Sequence, residues 1–150
     1  MKQLVLLASV FLMATIGQAQ QNPVSWAFSA KKVADKQYEV HMTATIQKGW
    51  HLYSQVQPED AVAMPTTFKI NNNPLVTLEG AIKEDGKLEK FHDAKLELSA
   101  NQFSNKVDFV QVVKLKANAK TNVTGVLEFQ TCNDQKCLPP KKVNFTIDLN

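Results

Sequence analysis

Tyr38-Glu39-Val40-His41-Met42-Thr43-Ala44-Thr45-Ile46 alternates without interruption: Tyr38, Val40, Met42, Ala44 and Ile46 are apolar, and the residues between them are polar or charged. A period of two means one face on a core and the other in water, which is a half-buried β-strand. The same signal recurs at the far end of the chain, where Val143, Phe145, Ile147 and Leu149 alternate with Asn144, Thr146 and Asp148. Upstream, Val24 to Ala30 reads as a first strand, with Val24, Trp26 and Phe28 separated by small residues. Val107 to Leu115 is apolar on both faces, as a central strand is, and Phe103 is a further candidate for the core.

Between these runs lie shorter extended stretches, at Pro65 to Ile70, Leu75 to Glu79 and Thr124 to Thr131. Gly49, Asn71 to Pro74 and Asn118 to Asn122 punctuate them, because Asn tolerates left-handed backbone and Pro fixes φ. Pro58 to Met64 reads as an excursion. Lys83 to Asp93 is charged, contains Gly86, and reads as a loop with one conspicuous apolar residue, Phe91. Eight or nine short strands without a helical stretch predict an all-β fold, an antiparallel β-sandwich of immunoglobulin-like topology.

The first residues are read differently. Lys2 precedes an apolar run, Leu4 to Ile16, that is short for a bilayer span, and Gly17-Gln18-Ala19 supplies small residues at a cleavage site. Residues 1–19 are therefore expected to be a signal peptide, leaving 20–150 as one soluble, exported domain. A domain of this length buries about two-thirds of its unfolded surface and can hold a core without cross-links. The net charge is only +3, and all 17 basic residues are lysines interleaved with 14 acids. Without arginine's planar fork or a massed basic patch, nucleic acid is not an expected partner.

Both cysteines fall in one stretch, Phe129-Gln130-Thr131-Cys132-Asn133-Asp134-Gln135-Lys136-Cys137-Leu138-Pro139-Pro140, between two strand-like runs. The pair is thus expected on the turn of a hairpin. Outside the cytosol two such thiols become oxidised unless something reduces them. A disulfide closing so short a loop restricts the unfolded chain by only about 2 kcal/mol, against about 4.7 for a hundred-residue loop. As a staple it would be poorly sited, so redox chemistry explains it better. Zinc sites favour closer pairs such as C-x2-C, and no metal site is expected from Cys132, Cys137 and the three histidines.

The aromatic-Cys-loop-Cys-Leu-Pro-Pro pattern, together with Lys48-Gly49-Trp50-His51-Leu52-Tyr53-Ser54, resembles the N-terminal periplasmic domain of the thiol–disulfide interchange protein DsbD, over essentially the whole of the mature chain. That family carries a Gly-aromatic-aromatic-Leu-Tyr segment at the second position. The resemblance implies an immunoglobulin-like fold, a redox-active cysteine pair and no cofactor. It implies electron transfer between a membrane or thioredoxin-like donor and oxidised periplasmic partners. Cys137 would form the mixed disulfide and Cys132 would resolve it. Trp50, His51 and Tyr53 would flank the pair, and Lys87 to His92 would correspond to the cap loop, with Phe91 covering the disulfide and Glu89 the acid beside it. Two departures are evident: Asn133 to Lys136 is one residue shorter than the loop of the best-known members, and the chain ends at Asn150, which implies a stand-alone version, expected to be monomeric, that takes its electrons from a separate protein.

Each of these residues also has a plainer reading. The disulfide would merely rigidify a hairpin in a non-catalytic immunoglobulin-like binding domain. Trp50, His51 and Tyr53 would be core aromatics, Phe91 a residue of an exposed loop, and Pro139 and Pro140 a rigid exit from the turn. The prolines also fix two φ angles, which would hold the Cys137 sulfur in a constant presentation.

Overall fold

The computed structural model describes residues 22–150, and the proposed signal peptide lies outside them. Nine strands make up the described residues: β1 Val24–Ala34, β2 Gln37–Ile46, β3 His51–Tyr53, β4 Thr67–Ile70, β5 Val76–Asp93, β6 Leu98–Leu115, β7 Thr121–Phe129, β8 Thr131–Cys132 and β9 Lys141–Leu149. All their pairings are antiparallel. No helix among these residues is long and apolar enough to cross a membrane. The fold is the expected all-β immunoglobulin-like sandwich.

One sheet runs β1-β2-β6-β3-β8, with β5 also paired to β6, and the facing sheet runs β4-β7-β9. The long β6 organises the larger sheet. Its residues 106–114 pair with β2, and Gln102 and Phe103 pair with β3. Along its other edge it pairs with β5 over nearly its whole length.

The alternating runs behave as their period requires. In β2 the side chains of Tyr38, Val40, Met42, Ala44 and Ile46 are buried, and in β9 those of Phe145, Ile147 and Leu149. They meet Phe103, Val107, Phe109 and Val113 of β6 and Val123, Leu127 and Phe129 of β7 in one core. Trp26 sits among Phe28, Phe68, Phe109 and Phe129 at ring-centroid separations of 5.4–6.5 Å, within the range of favourable aromatic pairs. Gly125 of β7 is hemmed in by its two sheet neighbours, β4 and β9. A Cβ there would stand 2.6 Å from both the Lys69 carbonyl oxygen and the Phe145 ring.

The stretch Lys83 to Asp93 corrects the sequence reading. It is not a loop but the second half of β5, paired with β6 from Lys83↔Val110 to Asp93↔Leu98. This is an edge strand, with the register shifting between Gly86 and Leu88. Most of its side chains are exposed, so no hydrophobic alternation marks it. Lysines on such an edge oppose further strand addition.

The cysteine stretch is likewise more than a hairpin turn. β7 and β9 do pair as a hairpin, but β8, within their connection, joins β3 of the opposite sheet. The connection therefore bridges the two sheets at one end of the sandwich.

Candidate functional site

Cys132 lies on β8 directly opposite His51 of β3. Its disulfide partner is Cys137, five positions on. The two halves of the bond differ in environment: Cys132 is 5% exposed, whereas Cys137 is on the surface. The loop between them is locally fixed. The Asn133 side-chain oxygen accepts from the backbone N–H groups of Gln135 and Lys136, at 3.0 and 2.8 Å, an Asx-turn arrangement. The Asn133 N–H donates to the Lys136 carbonyl, and the Leu138 N–H to the Thr131 carbonyl, both at 2.9 Å. Pro139 and Pro140 follow, exposed, and lead straight into β9.

A cleft of about 640 Å³ opens beside the disulfide. His51 and Tyr53 line one side, and Phe91, Leu96 and Leu98 from the β5–β6 hairpin line another, with Val62 and Ala63 from the excursion after β3. The alternation of β3 explains which aromatics reach it. His51 and Tyr53 face the cleft, while Trp50 and Leu52 belong to the sandwich core. Trp50 is thus a core aromatic, as its plainer reading had it. Phe91 is 49% exposed and stands on the cleft wall, carried by a strand rather than a loop. Val62 and Leu96 are also exposed, so part of the rim is apolar, while Asp134 and Lys136 make another part charged.

Tyr53 is held from behind, since Thr66 Oγ1 donates to its carbonyl oxygen at 2.6 Å. Burial pushes the Tyr53 phenol above its ordinary value, so near neutral pH it is an uncharged wall of the cleft. Ser54 Oγ and the Gln55 N–H donate to the two oxygens of Glu84, at 2.8 and 2.7 Å, tying the end of β3 to β5.

Glu89 reaches the site through a residue the sequence did not single out. Its Oε2 accepts from Ser104 Oγ at 2.9 Å, and Ser104 Oγ lies 3.0 Å from His51 Nδ1. Neighbouring strands β8, β3, β6 and β5 thus supply Cys132, His51, Ser104 and Glu89 in sequence. Ser104 sits in no motif, and only the pairing of β3 with β6 brings it to the site.

Residues 18–149 match the family model described as the thiol:disulfide interchange protein DsbD, N-terminal. No curated protein sequence matches the chain. Among solved structures it is similar to the Neisseria meningitidis DsbD N-terminal domain in its reduced form, at 17% identity and TM-score 0.51, covering 83% of this chain and 86% of that one. The complex between the DsbD and PilB N-terminal domains of the same organism gives 16% identity and TM-score 0.51, covering 85% and 87%. The N-terminal periplasmic domain of ScsB from Proteus mirabilis gives 16% and 0.50, covering 84% of this chain and 44% of that one. At such identities the structural likeness is one of fold.

Proposed function

The chain belongs to the family of the DsbD N-terminal domain, and from that premise we propose that it is an exported thiol–disulfide exchange module working through Cys132 and Cys137. The observation that carries the reading is the unequal exposure of the two sulfur-bearing residues. Exchange is an in-line attack of a thiolate on one sulfur of a disulfide, and access decides which sulfur is attacked. A donor thiolate attacks Cys137 Sγ, and Cys132 leaves as a thiolate. The donor's second thiol then resolves the mixed disulfide, and the module is left as a dithiol. In the outgoing half, the Cys137 thiolate attacks a partner's disulfide, and Cys132 attacks Cys137 Sγ to release the reduced partner. Two electrons pass in each half, and no cofactor takes part.

The partners are thioredoxin-like proteins together with a membrane electron donor. A structural neighbour solved with a second protein's domain supports a protein partner of this kind. The exposed apolar residues Val62, Phe91 and Leu96 give such a partner a surface around the disulfide. Phe91, on the wall of the cleft beside the disulfide, screens the bond against indiscriminate thiols. The domain acts in the periplasm after removal of residues 1–19, as a monomer. Its fold tolerates the dithiol state, as the neighbour crystallised in reduced form supports.

The deciding measurement is the reduction potential of the pair against a glutathione or dithiothreitol series, with reaction towards a reduced thioredoxin-like protein. Structural disulfides lie below about −300 mV and exchange-active ones above it. A higher potential with rapid reaction is expected. A value well below that limit, with no reaction, would return the disulfide to a purely structural role.

A further inference from the structure

Ser104 has one hydroxyl proton and two neighbours competing for it. Glu89 Oε2, at 2.9 Å, belongs to a carboxylate, which only accepts. The Ser104 proton is therefore committed to Glu89, and the 3.0 Å contact with His51 has to run the other way, from His51 Nδ1–H to Ser104 Oγ. This sets the tautomer of the ring. Nδ1 carries the proton, and Nε2 keeps its lone pair on a ring that lines the cleft. A second residue fixing the idle nitrogen of a histidine is the usual means of preparing the other nitrogen for proton transfer.

Cys132 stands directly across the strand pair from this ring. It is the cross-strand partner of His51, and directly opposed residues in antiparallel strands have Cβ atoms about 4.5–5.5 Å apart. In the dithiol state the buried Cys132 has a difficulty that the exposed Cys137 lacks. Only the thiolate is a nucleophile, and an ordinary cysteine titrates near about 8.5, higher in apolar surroundings.

We propose that His51, oriented by Ser104 and Glu89, accepts the proton of the Cys132 thiol as Cys132 attacks the mixed disulfide on Cys137. The inference rests on the exchange reading above. As the Cys132 S–H proton passes to His51 Nε2, the Cys132 sulfur forms its bond to Cys137 Sγ. The bond between Cys137 Sγ and the partner's sulfur breaks, and its electron pair leaves on the partner as a thiolate. The imidazolium then returns its proton to solvent. In the reverse direction it protonates Cys132 as that sulfur departs. Ser104 and Glu89 are positioning residues. The charged groups that line the cleft or bond to Ser104 are Glu89 and Asp93 from β5 and Asp134 and Lys136 from the loop after β8, while β6 presents uncharged Gln102 and Ser104.

The test uses the reduced protein with oxidised glutathione, following by mass spectrometry the formation and decay of the mixed disulfide on Cys137. His51→Phe keeps a flat ring without a base, and His51→Ala removes it altogether. Both variants are expected to form the mixed disulfide at the normal rate but to resolve it about a hundredfold or more slowly at neutral pH, within the range of general base catalysis. The difference from wild type should close at alkaline pH, where hydroxide deprotonates Cys132 without help. Ser104→Ala and Glu89→Gln should show a smaller slowing with an altered pH profile, which a merely structural role would not produce. Resolution within twofold of wild type across the pH range in His51→Phe overturns the proton-acceptor role and leaves the exchange reading intact. Failure of the wild-type protein to form any mixed disulfide overturns the exchange reading and this inference together.

Discussion

Cys132 and Cys137 share one disulfide yet occupy opposite environments, the first packed on β8 against β3 and the second on the surface beside a cleft. A symmetric turn would have exposed both sulfurs or neither. The asymmetry arises because β8 leaves its own hairpin to pair with the facing sheet, while the loop from Asn133 to Lys136 turns back into solvent.

Single-cysteine variants should therefore behave unequally. Cys132→Ser is expected to capture a thioredoxin-like partner as a stable mixed disulfide through Cys137, because no resolving thiol remains. Cys137→Ser should accumulate little complex, since its thiol is buried. Non-reducing electrophoresis reads the result, and equal trapping by both variants would show that the two roles are wrongly assigned.

Reduction should leave the sandwich folded. The bond closes a loop with a sequence separation of only 5, which constrains the unfolded chain by about 2 kcal/mol, against the roughly 5–15 kcal/mol typical of a folded domain. A thermal melt followed by circular dichroism should stay cooperative in reductant, with Tm lower by about 5–10 °C. Loss of the transition at room temperature on reduction would mark the bond as a staple.

Gly125→Ala should be costly without touching the site. The added methyl group would meet the Lys69 carbonyl and the Phe145 ring at 2.6 Å, and one of the two contacts is backbone. Overpacking of this kind costs about 1–3 kcal/mol. Urea unfolding should show a lower midpoint with an unchanged slope, and an unaltered midpoint would mean that β4 and β9 give way beside Gly125 more easily than their packing indicates.

Phe91→Ala should separate access from stability. The side chain is 49% exposed, and changes at such positions usually stay within about 0.5 kcal/mol. Reduction of the disulfide by small thiols should nonetheless become faster, because the ring walls the cleft beside it. An unchanged rate would make Phe91 a bystander in protection.

Alkaline conditions should single out Tyr53. Burial raises its phenol above the ordinary value of 10.0, so the folded chain keeps the proton where the unfolded chain has begun to release it. The resulting stability is complete below about pH 10 and is lost as pH rises through the folded-state value. Urea midpoints measured from about pH 8 to about pH 11 should fall less for Tyr53→Phe than for wild type. Identical slopes in the two proteins would exclude Tyr53 as the source of the loss.

Much of the fold was legible in advance because strand burial is a local property. Tyr38 to Ile46 and Val143 to Leu149 each bury one face, and an alternation of that kind is written into consecutive residues. The cysteine pair was legible too, whereas the opposite directions of Trp50 and His51, grouped together in the sequence reading, emerged only with the placing of β3. Lys83 to Asp93 escaped because an edge strand with mostly exposed side chains carries no such alternation, and its partner β6 supplies what its own sequence does not. Ser104 escaped for a related reason: its place between His51 and Glu89 depends on the register of three strands distant in sequence. The sequence by itself determined the alternating strands, most of the core and the place of the cysteine pair. Tertiary structure alone decided that β8 crosses to the other sheet and that four strands bring Cys132, His51, Ser104 and Glu89 into line, because pairing between distant strands is settled by packing and not by neighbours in the chain.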